Sequence, residues 1–109
     1  MRPWEIYSWQ VPGWPEPHPA VIISQDSRVA NKPEVNILLC STKEATRSAG
    51  PTEVILDTTD GLDWPTLCKC DLIYSVKKVQ LSNRRGEVTT ERRRQIARRV
   101  IQCLAFADL

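Results

Sequence analysis

Apolar residues in this chain fall in short runs with strand character up to Thr89, where the spacing becomes that of a helix. Trp4, Ile6, Tyr7, Trp9 and Val11 mix aromatic and β-branched residues and stop at Pro12-Gly13, which predicts a first strand. Ala20-Val21-Ile22-Ile23-Ser24 and Val35-Asn36-Ile37-Leu38-Leu39-Cys40 are apolar runs bounded by polar turns and predict buried strands. Glu53-Val54-Ile55-Leu56 and the stretch from Thr66 to Val79 predict further strands, joined through a tight turn at Thr59-Asp60-Gly61-Leu62. Pro12, Pro15, Pro17 and Pro19 fix φ and remove amide donors, so 12–19 is predicted to be a stiff loop that contains His18. A polar loop is expected from Ser41 to Thr52, and a glycine turn at Arg84-Arg85-Gly86.

Thr89 has the character of an N-cap, with Glu91 where the helix dipole favours an anion. At 100° per residue, Ile96, Ala97, Val100, Cys103 and Leu104 share one side of the helix that follows. Arg94, Gln95, Arg98 and Gln102 share the other. Several short strands and one terminal helix describe a mainly β fold, a small antiparallel barrel with the helix capping an edge or open end.

At 109 residues the chain fits a single domain, 1–109, because domains commonly run to about 100–150 residues. No apolar run approaches the roughly 20 residues that cross a bilayer, and Met1-Arg2-Pro3-Trp4-Glu5 lacks the character of a signal peptide. The expectation is a cytoplasmic protein without membrane contact. Cys40, Cys68, Cys70 and Cys103 lie in apolar or strand-like stretches and read as reduced thiols. A Cys-x-Cys pair with one histidine makes a poor zinc site, so no metal is expected.

Charge changes the picture. The formal net charge of +2 conceals −4 over residues 1–66 and +6 over 67–109, a skew that suits a polyanion or an acidic peptide. The arginines of the last helix are candidates for tracking a nucleic-acid backbone or for a merely solvated face. On a strand over 67–71, Lys69 and Asp71 share a face, with Cα atoms about 6.6 Å apart. They suit one phosphodiester, or simply a surface ion pair. His18, the one imidazole, is the natural proton carrier and is held between two prolines. It equally reads as a solvent-facing loop residue. Ser41 and Thr42 end an apolar strand and either donate to a phosphate or begin a turn. Trp14, like Trp9, flanks the proline-rich loop and suits base stacking or a core contact.

Taken in order, Glu5-Ile6-Tyr7, His18-Pro19-Ala20-Val21-Ile22-Ile23-Ser24, Cys70-Asp71-Leu72-Ile73 and a terminal amphipathic helix resemble the MazF/PemK (Kid) toxins of type II toxin–antitoxin systems, over roughly residues 2–105. The resemblance implies an SH3-like barrel of CcdB/MazF type that forms a homodimer. It further implies cleavage of single-stranded RNA without a metal or other cofactor, and neutralisation by an antitoxin. Position by position, it makes Asp71 the acidic residue of a Cys-Asp motif, a general base. Lys69 then stands where some members have an arginine, and Ser41 with Thr42 beside it supports the scissile phosphate. His18 stands where many members have an arginine before the proline, and Pro3-Trp4 replaces the usual glycine before the first glutamate.

Three functions follow from different classes. The first is a ribonuclease in which the RNA's own 2′-OH attacks the phosphate, with His18, Lys69 and Asp71 as catalytic groups and Ser41, Thr42 and Trp14 binding substrate. The second is a non-catalytic SH3-like barrel that binds a peptide or nucleic acid. The third, poisoning of DNA gyrase, rests on fold analogy with CcdB-type toxins alone.

Overall fold

The computed structural model describes residues 1–42 and 48–108. Six strands form one antiparallel sheet: β1 (Glu5–Trp9), β2 (His18–Ile22), β3 (Glu34–Thr42), β4 (Glu53–Leu56), β5 (Thr66–Lys77) and β6 (Leu81–Glu87). They are ordered β4-β5-β3-β2-β1-β6. A short helix α1 (Asp26–Asn31) lies between β2 and β3, and α2 (Thr90–Cys103) follows β6. This is the mainly β architecture with one C-terminal helix that the sequence predicts. The sheet is open but strongly curled. Trp9 and Tyr74, on strands three places apart, bring their rings to 5.2 Å.

Strand alternation divides the core in two. Val21, Leu38 and Cys40 face one cluster, which α2 covers with Ile96, Val100 and Cys103. Ala20, Ile22, Ile37 and Leu39 face the other, inside the curl, with Trp9, Leu81 and Val29 of α1. Most of these side chains are fully buried, each stabilising the fold by about 1.5–3 kcal/mol relative to exposure. Thr89 is the N-cap of α2, as expected, its Oγ1 accepting from the Arg92 N–H at 3.5 Å. Ala97, expected on the apolar side, is exposed.

Three local expectations are corrected and one element is added. His18 and Pro19 are not loop residues; they open β2, with His18 opposite Trp9 on β1. Pro19 is tolerated because pairing toward β3 begins only at Ala20↔Leu39. Arg84-Arg85-Gly86 is not a turn but part of β6, where the ladder with β1 is irregular. Gly86 is required for close approach: a Cβ there would overlap the Asp60 carbonyl oxygen. Helix α1 escapes prediction because its six residues carry one buried side chain, Val29, and its N-cap Gln25 makes no side-chain bond. Of the loop expected over 41–52, Ser41 and Thr42 belong to β3, and 43–47 lie outside the described residues.

Trp4 sits immediately before Glu5 with φ of 70°, in the left-handed region where glycine is at ease. Its backbone is fastened on both sides, by its own N–H to the Ile22 carbonyl at 2.7 Å and by the Val88 N–H to its carbonyl at 2.9 Å. The ring packs on the α2-side cluster. Those contacts offset a conformation that costs a non-glycine residue about 1–2 kcal/mol.

Candidate functional site

The end of the sheet where β2 begins and β3 finishes gathers three of the predicted side chains. His18 Nδ1 lies 3.3 Å from the Cys40 carbonyl oxygen, across the strand pair. A carbonyl only accepts, so the bond calls for a proton on Nδ1, and in the neutral imidazole Nε2 then carries the lone pair. Trp14 from the proline-rich loop meets the imidazole edge-on, with ring centroids 4.6 Å apart. Extending the register of Ala20↔Leu39 by two residues sets His18 level with Ser41. Ser41 is half-buried, and Thr42 beside it is exposed. His18 is thus clamped by a ring and a carbonyl, which limits its motion as a proton carrier requires.

Lys69 and Asp71 are placed differently. Between Leu38 and Cys40 the β3–β5 ladder slips: Cys40 pairs with Cys68, yet Leu38 pairs with Ile73. Lys69 through Leu72 therefore oppose one residue of β3, Leu39, and simple alternation fails there. Lys69 instead pairs across β4, its ammonium in an ion pair with the buried carboxylate of Glu53. Asp71 is exposed, and its charge acts on the thiols of Cys70 and Cys103, toward α2. The structure thus joins His18 and Trp14, with Ser41 at the same level on the next strand, whereas Lys69 and Asp71 have neighbours of their own.

The cysteines are free thiols. Hydrogen bonding with Cys40, then burial, push the Cys68 thiol far up, and Cys68 together with burial does the same to Cys70. Both stay protonated and inert as nucleophiles. Among the described residues no group of three or more His, Cys, Asp or Glu is placed to hold a metal ion, and no helix is long and apolar enough to cross a membrane.

The basic helix is only partly free to meet a polyanion. Arg92 makes a fork to Asp57, at 2.8 and 3.0 Å, and also binds Asp60, whose carboxylate is fully buried. Asp60 accepts in addition from the backbone N–H groups of Asp57 and Thr89, both at 3.0 Å. The Arg92 guanidinium, then the Thr59 backbone N–H, hold the Asp57 carboxyl far below the usual carboxylate range, and Asp57 in return raises Arg92. Arg93 donates to the Val88 carbonyl at 2.8 Å and Arg99 to that of Pro51 at 3.1 Å. Arg94 and Arg98 remain exposed.

Sequence reasoning missed Glu53 as the partner of Lys69 and Trp9 as the residue opposite His18. The first pairing spans sixteen residues and leaves no local signal. The second was within reach, since a two-stranded pairing around the proline loop sets Trp9 against His18.

A model of the family described as PemK-like, MazF-like toxin of type II toxin–antitoxin systems matches residues 2–104. Among curated proteins none matches in sequence. Solved structures share the fold. An endoribonuclease in complex with its cognate antitoxin, from a mycobacterial species, superposes with a TM-score of 0.79 at 22% identity, covering 94% of this chain and 93% of that one. The toxin MazF-mt6 of Mycobacterium tuberculosis gives 0.77 at 19% identity, covering 91% and 94%. The MazE–MazF complex of Deinococcus radiodurans gives 0.75 at 12% identity, covering 96% and 95%.

Proposed function

The chain belongs to the PemK-like, MazF-like toxin family of type II toxin–antitoxin systems, and from that premise we propose that it is an endoribonuclease acting on single-stranded RNA. In this reading residues 1–109 form one domain that works in the cytoplasm as a homodimer and is neutralised by an antitoxin. The solved relatives support it, since one is named an endoribonuclease in complex with its cognate antitoxin, another is named a toxin and a third is a MazE–MazF complex.

The observation that carries the chemistry is the clamped imidazole. With Nδ1–H directed at the Cys40 carbonyl, Nε2 of His18 is available to take the proton of a ribose 2′-OH. The 2′-oxygen then bonds to phosphorus and the bond to the 5′-oxygen breaks. The products are a 2′,3′-cyclic phosphate and a 5′-hydroxyl. Ser41 and Thr42 donate to the phosphate oxygens, and Trp14 stacks a base. Lys69 lends positive charge and a proton to the departing oxygen, which requires it to loosen from Glu53. Asp71 is the alternative acceptor of that same 2′-OH proton. Because the nucleophile belongs to the substrate, the protein should cut single-stranded RNA in excess EDTA and leave those two termini. Loss of cleavage on chelation, restored by a divalent ion, would refute this mechanism.

A further inference from the structure

Two of the four tryptophans are followed by proline, Trp14-Pro15 and Trp64-Pro65, and these two are the exposed ones, at 45% and 51%. Trp4 and Trp9 pack in the core. Proline confines the residue before it to extended backbone, so both exposed rings stand on stiffened segments and lose little freedom on meeting a ligand.

Both lie at the end of the sheet that holds His18. Trp14 touches the imidazole at the start of β2. Trp64 precedes by two residues Thr66, the first residue of β5, and its carbonyl accepts from the Thr66 hydroxyl at 3.1 Å. Thr66 pairs with Thr42. Strand β3 runs between β2 and β5, so Ser41 and Thr42 lie between the two strands into which the tryptophan-bearing segments lead, strands roughly 10 Å apart across the sheet. The chain neighbours of these rings include Glu16 and Asp63 but no cation. Phosphate attraction is therefore not what they offer. A π-face for a base is.

We propose that Trp64 is a second base-stacking platform, which with Trp14 holds the bases on either side of the phosphate bound at Ser41 and Thr42. This deepens the endoribonuclease reading and rests on it. The two platforms set which nucleotides flank the cut, with Trp64 acting on affinity and sequence preference rather than on proton transfer.

The probe is a fluorescein-labelled pool of randomised RNA, about ten nucleotides long, whose 2′-O-methyl groups remove the nucleophile. Trp64→Leu should weaken its binding about 5- to 150-fold, the scale of one stacked base. The salt dependence should not change, because no phosphate contact is lost. Trp64→Phe should bind within about threefold of the parent, since any aromatic face stacks. The RNA-induced quench of tryptophan emission should shrink in Trp64→Phe, a reading independent of how well Trp64→Leu folds. Parental affinity in Trp64→Leu with an unaltered quench in Trp64→Phe overturns the platform, while the endoribonuclease reading stands if the parent still cuts RNA. Unchanged RNA binding with lost neutralisation by the antitoxin assigns the ring to a protein partner and also overturns it. A parent that neither binds nor cuts RNA overturns both.

Discussion

The two regions at either side of this sheet are held by opposite means. Under α2, charge is buried and fully spent: Asp60 accepts from two backbone amides and from Arg92, and Arg92 also grips Asp57. The thiols of Cys68 and Cys70 are packed below, forced into their neutral form. At the start of β2, polar and aromatic groups are held in place but left uncovered: His18 by a carbonyl and a ring, Trp14 and Trp64 by prolines. Clusters of the first kind fasten elements together. Groups of the second kind have bonding capacity left for something else, and that separates the site from the arginine-rich helix whose charge first draws the eye.

The largest expected effect breaks the first region without touching the second. Arg92→Ala leaves the buried Asp60 carboxylate short of its countercharge and should cost about 3–5 kcal/mol of stability, or more than about 10 °C in melting temperature. Cleavage per folded molecule should stay at the parental level. Acid sharpens the same point. Asp57 has a folded pKa below its unfolded value, so its stabilisation is complete above the usual carboxylate range and is lost as pH falls below about 4. Urea denaturation across pH 2–6 should show that loss in the parent and a shallower one in Arg92→Ala.

Next in size is Asp71→Asn, which should lower cleavage about 10²-fold if Asp71 moves a proton in the transition state. Full activity in the folded variant would reduce Asp71 to a charge beside Cys103. The smallest effect is expected from replacing Arg94 and Arg98 together. They are exposed on α2, away from His18, and the salt slope of RNA binding should not move, whereas a drop near 1.4 units, about 0.7 for each lost phosphate contact, would bring the helix into the site.

Much of the fold was legible because it is written in local patterns: the apolar runs of β2, β3 and β4, the N-cap at Thr89, and the face carrying Ile96, Val100 and Cys103. What escaped depends on contacts distant in sequence. Gly86 looks like a turn residue until the Asp60 carbonyl is seen to pass against it. Lys69 and Asp71 share a face on an ideal strand, and the slipped ladder opposite Leu39 gives them separate surroundings. Arg92 is one of five arginines along the helix, and only the 3₁₀ turn at Thr58–Asp60, with its Asp57 cap, singles it out. In the site, His18 and Trp14 were within reach because the prolines on either side of His18 and next to Trp14 are visible in the sequence. Glu53, which engages Lys69, was not.

The role proposed for the imidazole clamped between Trp14 and the Cys40 carbonyl is proton transfer in the cleavage step. It is tested most directly by single-turnover cleavage of single-stranded RNA by His18→Ala, set against the parent at matched folded fraction. A loss of about 10²-fold or more is expected, with melting temperature nearly unchanged. Parental cleavage by a folded His18→Ala would contradict it.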